Sequence, residues 1–207
     1  SSSLGGSFLA SSSSRTTTTT TKRIRSSLCS TATAEEEKKK PIAILICPAQ
    51  FCVPNDYTNL LELLKTSVPN VGMCLTAPLP RTEWIKVARQ VPTTAFVKGS
   101  LPVAETLEWY FDAIETGLSE ILNYHNDDED VNICIIGHSI GGWVARAYLG
   151  GLSQSSTAVH TMAREKVTSL ITLGTPHNNP ATAVFDQTRG LLSAIANAPS
   201  CHPQVLA

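Results

Sequence analysis

A hydroxyl becomes a useful nucleophile when the backbone lifts it clear of its surroundings and a base takes its proton. One stretch of this chain has the residue types for the lifting: Gly137-His138-Ser139-Ile140-Gly141-Gly142. The spacing is G-x-S-x-G, which arises by chance in about one chain in fifteen of this length if glycine and serine each make up about 7% of residues. Its context carries more weight than the pattern. Val131–Ile136 is the cleanest strand in the chain, and Trp143–Leu149 continues as a helix that ends at Gly150-Gly151. A serine between them sits on a sharp strand-to-helix turn, where Gly137 and Gly141 give strand and helix the room to approach. It also stands at a helix N-terminus, whose free amides and dipole favour the negative charge that grows during acyl transfer. The N–H of Ile140 is the natural first donor to that charge. Phosphate-binding turns share the glycines, but neither G-x-G-x-x-G nor G-x-x-x-x-G-K-S/T occurs. His138 neighbours the serine and points elsewhere, so it is assigned to packing.

The elements that must hold this turn follow from Pro41 onwards as short apolar runs alternating with helical stretches, the pattern of parallel strands joined by crossover helices. Ile42–Cys47 and Val71–Ala77 read as strands. A loop over Pro48–Asn55 precedes a helix over Asp56–Lys65, capped by Asn55 or Asp56. Within 81–99 only a short helix near Glu83–Arg89 is legible. Ala104–Tyr124 is a long amphipathic helix, its stripe made by Leu107, Phe111, Ile114, Leu118, Ile121 and Leu122, and Trp109, Tyr110 and Phe111 are core or boundary positions. A last strand, Val167–Leu173, runs into Gly174-Thr175-Pro176-His177, and a further helix covers Arg189–Ala196.

With these pieces in place, the chain resembles the lipase branch of the α/β-hydrolase superfamily, in which a GHSxGG elbow is followed by a strand ending in LGTPH. Both are present, as 137–142 and Leu173–His177, in the right order. The similarity extends over most of Pro41–Pro180 and is closest to the lipase domain of GPI inositol-deacylases and related plant proteins. It implies an α/β fold with a mostly parallel central sheet flanked by helices, incomplete at the C-terminus. It also implies a serine hydrolase of carboxylic esters, a lipase or acyl-lipid esterase, with Ser139 as nucleophile. In that family a loop after an early strand supplies the second oxyanion N–H. The matching stretch is Pro48-Ala49-Gln50-Phe51, with Gln50 as donor and Phe51 in reserve, and Ala49 standing where glycine is usual. The acid and base normally follow the serine in the order Asp or Glu, then His. Asp186 is the candidate acid. His177 or His202 is the candidate base, although the place of His177 in the LGTPH signature implies a structural role beside the site. The expected base lies beyond residue 207, and the alternative function is a non-catalytic protein of this fold that binds a small hydrophobic ligand or a partner.

Composition narrows the rest. The 207 residues are 42% hydrophobic with a net charge of −1, enough for one core and without the concentrated positive charge of a nucleic-acid binder. Residues 1–34 are rich in serine and threonine, carry Arg15, Lys22, Arg23 and Arg25, and hold no acidic residue. That is the composition of an organelle transit peptide, for a chloroplast or alternatively a mitochondrion. Glu35–Lys40 is a charged linker, so the expected domains are 1–40 and 41–207. The six cysteines form no CxxC pair, and Cys47, Cys74 and Cys134 lie in apolar strand-like runs, which argues against zinc or a disulfide framework. The acidic turn at 126–130 lacks calcium-loop spacing. No metal or organic cofactor is implied. No run approaches the roughly 18 apolar residues of a membrane span, so any membrane contact is peripheral. The expected partner is a small ester or lipid.

Overall fold

The computed structural model describes residues 40–125, 131–154, 161–162, 165–179 and 186–202. The chain divides into two units, Ser1–Glu37 and Lys38–Ala207. The first lies outside the described residues, as do the transit-peptide segment, most of the charged linker and the acidic turn. Four strands, β1 (Ile42–Cys47), β2 (Val71–Thr76), β3 (Asn132–His138) and β4 (Val167–Leu173), make one all-parallel sheet in the order β2-β1-β3-β4. The helices whose limits lie within the described residues are α1 (Thr58–Ser67), α2 (Ile85–Ala88), α3 (Thr94–Lys98), α4 (Val103–Tyr124), α5 (Ile140–Leu149) and α6 (Leu191–Asn197). An α/β fold with a parallel sheet flanked by helices is therefore what the chain forms.

The central strand β1 is apolar throughout because both of its faces are covered. Ala43, Leu45 and Cys47 face one cluster with α4, α5 and α6, while Ile44 and Ile46 face another with Tyr57 and the leucines of α1. β3 follows the same alternation: Ile133 and Ile135 join the first cluster, Cys134 and Ile136 the second. α4 buries the stripe read from its sequence, and Trp109, Tyr110 and Phe111 are all buried. α1 lies on the other face with Leu60, Leu61 and Leu64 inward and Leu63 exposed.

Several boundaries differ from expectation for local reasons. The helix expected from Asp56 starts at Thr58, because Pro54–Tyr57 first makes a tight 3-10 turn. Asp56 caps that turn, its carboxylate accepting the Val53 N–H at 2.9 Å. In 81–99 a 3-10 turn at Arg81–Trp84 leads into α2, and α3 was not anticipated. Its signals are short: the Thr93 hydroxyl accepts the Phe96 N–H at the start, and Gly99 at φ 66° closes the end. β3 runs two residues further than its apolar stretch, through Gly137 and His138, because β4 pairs with it there.

Register decides what the sheet presents. Cys47 is level with Gly137 across β1 and β3, and Gly137 and His138 are level with Thr172 and Leu173 across β3 and β4. The loop after β1, the turn after β3 and the segment after β4 thus leave the sheet at one edge. The connection from β1 goes outward to β2, and the chain then returns to the far side of β1 to lay down β3 and β4. In open α/β sheets the crevice at such a reversal, at the carboxyl ends of the strands, is where ligands bind.

Candidate active site

Ser139 stands at that reversal, between β3 and α5, with φ 52° and ψ −120°. A residue with a side chain rarely adopts positive φ, and such strain persists only where surrounding bonds enforce it. Here the Ser139 N–H donates to the Leu173 carbonyl at 2.8 Å, and its own carbonyl accepts from the Gly142 N–H at 3.1 Å and the Thr175 hydroxyl at 2.9 Å. The turn is tight enough that a Cβ on Gly137 would run into the Gly142 Cα, and one on Gly142 into the Thr175 side chain. This links the two sequence signatures physically: the threonine of Leu173–His177 packs on the last glycine of 137–142. Ser139 is the N-cap residue of α5, yet its hydroxyl does not cap the helix. Among the described residues that hydroxyl has no hydrogen-bond partner. The Ile140 N–H, first in the helix, has no intrahelical carbonyl to reach.

The loop after β1 lies against this turn, since a Cβ on Gly141 would strike the carbonyls of Cys47 and Pro48. Its carbonyls and ends are tied down. Tyr110 donates its hydroxyl to the Pro48 carbonyl at 2.5 Å, Arg81 Nε donates to the Phe51 carbonyl at 2.8 Å, and the Cys52 N–H closes the turn on the Ala49 carbonyl at 3.1 Å. Phe51 takes φ 63° within it, and its ring lies 5.4 Å from that of Trp84. Gln50 and Phe51 are exposed, and among the described residues their N–H groups make no hydrogen bond. These two unclaimed amides follow the stretch that abuts the N-terminus of α5, and free amides near a helix N-terminus can hold an anion.

The family description that matches is the PGAP1-like alpha/beta domain, over residues 100–200, just under half of the chain and including Ser139. The matched description is of an alpha/beta domain, and the chain forms the parallel α/β fold described above. Two solved structures are similar in part. One is an acetylxylan esterase, 16% identical with a TM-score of 0.42, the alignment covering 68% of this chain and 66% of that one. The other is an iodinated complex of acetyl xylan esterase, 15% identical with a TM-score of 0.42, covering 70% and 68%. The chain thus spans just under two thirds of the first of these. A comparison with curated proteins finds no match.

The candidate acid and bases each sit in their own local setting. Asp186 caps its own turn: its carboxylate accepts from the Thr188 N–H at 2.8 Å, the Thr188 hydroxyl at 2.7 Å and the Gly190 N–H at 2.7 Å. Burial works to raise its pKa, but these bonds, with a further one from Asn179, outweigh it and hold the carboxyl below its ordinary range. His202 follows the short 3-10 turn Pro199–Cys201 and is exposed. His177 is engaged at both ring nitrogens, Nδ1 with Arg146 Nη1 at 2.8 Å and Nε2 with the Thr172 hydroxyl at 3.2 Å. A guanidinium can only donate, so Nδ1 accepts and the Nε2–H donates to Thr172.

Arg146 is the residue that sequence reading passed over. It is buried on α5 and sends Nε and Nη2 to the Cys201 carbonyl at 3.2 and 3.1 Å while Nη1 holds His177. One basic residue inside the otherwise apolar run Trp143–Leu149 was the available signal. Burial, and then the Arg146 charge, push the His177 pKa below 6.5. The unfolded chain therefore takes up this proton first as pH falls. Stability should be level above about pH 6.5, the unstrained histidine value, and decline below it until the folded pKa is passed. Urea midpoints at pH 7.5 and 5.5 should differ less in His177→Gln than in the wild type; an equal difference would assign the pH dependence to other groups.

Proposed function

We propose that this protein is a serine hydrolase of carboxylic esters, with acyl lipids as the substrate class. Ser139 Oγ attacks the ester carbonyl as a base takes its proton, and the oxyanion is held by the Ile140 N–H and the Gln50 N–H, with Phe51 N–H in reserve. The proton passes to the departing alkoxide, leaving an acyl-serine. Water then gives a proton to the base, attacks the acyl carbon and releases the carboxylic acid as Ser139 regains its proton. The observation that carries the reading is the conformation of Ser139: a strained, positive-φ serine whose hydroxyl is unclaimed at the N-terminus of α5. The lipid preference rests on the resemblance to lipase-like hydrolases and on the match to the PGAP1-like domain. The composition of residues 1–34 supports delivery to a chloroplast, with the mitochondrion as the alternative.

A second reading, a non-catalytic protein that binds a hydrophobic ligand, is favoured by the engagement of both His177 nitrogens and of the Asp186 carboxylate. A fluorophosphonate probe separates the two when applied to this chain beside a Ser139→Ala control. Labelling lost in the control supports the hydrolase, and His177→Gln and His202→Gln then locate the base. Absence of labelling leaves the binding protein.

A further inference from the structure

The tyrosine hydroxyl of Tyr57 links the two halves of the candidate oxyanion hole. It accepts the Ala49 N–H at 2.8 Å, and it lies 2.9 Å from Nδ1 of His138, the residue before Ser139. The rings of Tyr57 and His138 meet edge to face with centroids 6.0 Å apart and planes at 81°. Tyr57 is buried, whereas His138 is half-buried at the end of β3. Because β3 alternates, His138 falls on the same face as Cys134 and Ile136, where Tyr57 packs, and not on the face covered by α5.

We propose that Tyr57 and His138 are positioning residues that lock the Pro48–Cys52 loop onto the Ser139 turn, so that the Gln50 and Ile140 amides keep a fixed separation. Its catalytic consequence rests on the hydrolase reading above; the mechanical link does not. The polarity of the relay follows from proton bookkeeping. Burial foremost pushes the Tyr57 phenol up to about 12, opposed by the Ala49 N–H and reinforced by the Cys52 side chain and the Asp56 charge, so the hydroxyl keeps its proton. With Ala49 donating to the oxygen, that proton needs an acceptor, which the relay assigns to His138 Nδ1 in preference to the nearby Cys52 side chain, with the imidazole's own proton on Nε2. Among the described residues, and apart from those of Tyr57, the bonds that reach the loop side-on come from Tyr110 of α4 and from Arg81, neither of which lies on β3. The relay thus gives the loop a hydrogen-bonded path to the strand that bears the proposed nucleophile. Oxyanion donors are sensitive to placement, since an error of about 1 Å can cost about 100-fold in rate.

The test compares the wild-type chain with Tyr57→Phe, His138→Leu and His138→Asn. Asparagine Oδ1 can replace the Nδ1 acceptor, and leucine offers none. The readouts are amide hydrogen exchange over 49–52, the 15N shifts of the His138 ring, and the rate of fluorophosphonate labelling well below the thermal midpoint. Expected are about tenfold faster exchange confined to the loop in Tyr57→Phe and His138→Leu, an Nε2–H tautomer in the wild type, and labelling slowed about ten- to hundredfold. His138→Asn should recover most of the loss, and Tyr57→Phe/His138→Leu should be no worse than either single change, as for two members of one relay. Unchanged loop exchange in both single variants, or additive losses in the double variant, would overturn the proposal. Should Tyr57→Phe fail to fold, the two His138 variants decide. A wild type that takes no label would sink the hydrolase reading, and exchange would still judge the relay.

Discussion

Ser139→Gly should yield a protein that is more stable than the wild type and chemically inert. The serine holds φ 52° and ψ −120°, a conformation that costs a residue bearing a Cβ about 1–3 kcal/mol. Glycine takes it without steric penalty but gives up about 0.5–1 kcal/mol through its freer unfolded chain. The net is a gain of about 1 kcal/mol, read as a higher urea midpoint with an unchanged slope. Ester hydrolysis and fluorophosphonate labelling should fall by about 10,000-fold or more, since the proposed nucleophile is gone. Ser139→Ala should be equally inert without the full gain, because its Cβ keeps the strain. A lower midpoint for the glycine variant would mean that the turn is not a store of strain, and the positive φ would lose its value as a sign of function.

A large loss of stability is expected from Gly141→Ala. Gly141 takes no positive φ among the described residues, so its requirement is space alone. The added methyl would meet the Cys47 carbonyl oxygen, the Cys47 carbonyl carbon at 2.7 Å and the Pro48 carbonyl oxygen at 2.8 Å, all backbone atoms at the end of the central strand. Backbone yields far less readily than a side chain, so overpacking here should cost about 3 kcal/mol. For a chain of this size that lowers the thermal midpoint by about 6–12 °C. Gly174→Ala is the contrast: φ is 57°, but nothing lies within 4 Å of the added methyl, so only conformational strain of about 1–2 kcal/mol is expected. Equal losses in the two variants would show that the loop after β1 is not pressed against the Ser139 turn.

What could be read locally was read well. β1 and β4 have the limits expected of them; β1 was legible because a strand covered on both faces must be apolar at every position, and β4 because its end is marked by Gly174. α4 was legible because it is long and its stripe repeats at the helical period. The turn at Ser139 was legible because its glycines, its serine and the strand before it are neighbours in the chain. Short elements were less so: α3 has five residues and rests on Thr93 and Gly99, and the start of α1 was displaced by a turn that Pro54 opens.

The sequence by itself therefore determined the class of fold, the central strands, and the residue that the sharpest turn presents. Only the tertiary structure decided what each polar side chain is spent on. Tyr57 and His138 are 81 residues apart and meet because β1 and β3 are adjacent in the sheet. Asp186 carries the charge of a catalytic acid, but its turn folds back to use both oxygens, and His177 is held by an arginine from another helix. The difference has one physical source. Hydrophobic periodicity and backbone strain are properties of a short run of chain, whereas a hydrogen bond between side chains depends on which strands the sheet brings together.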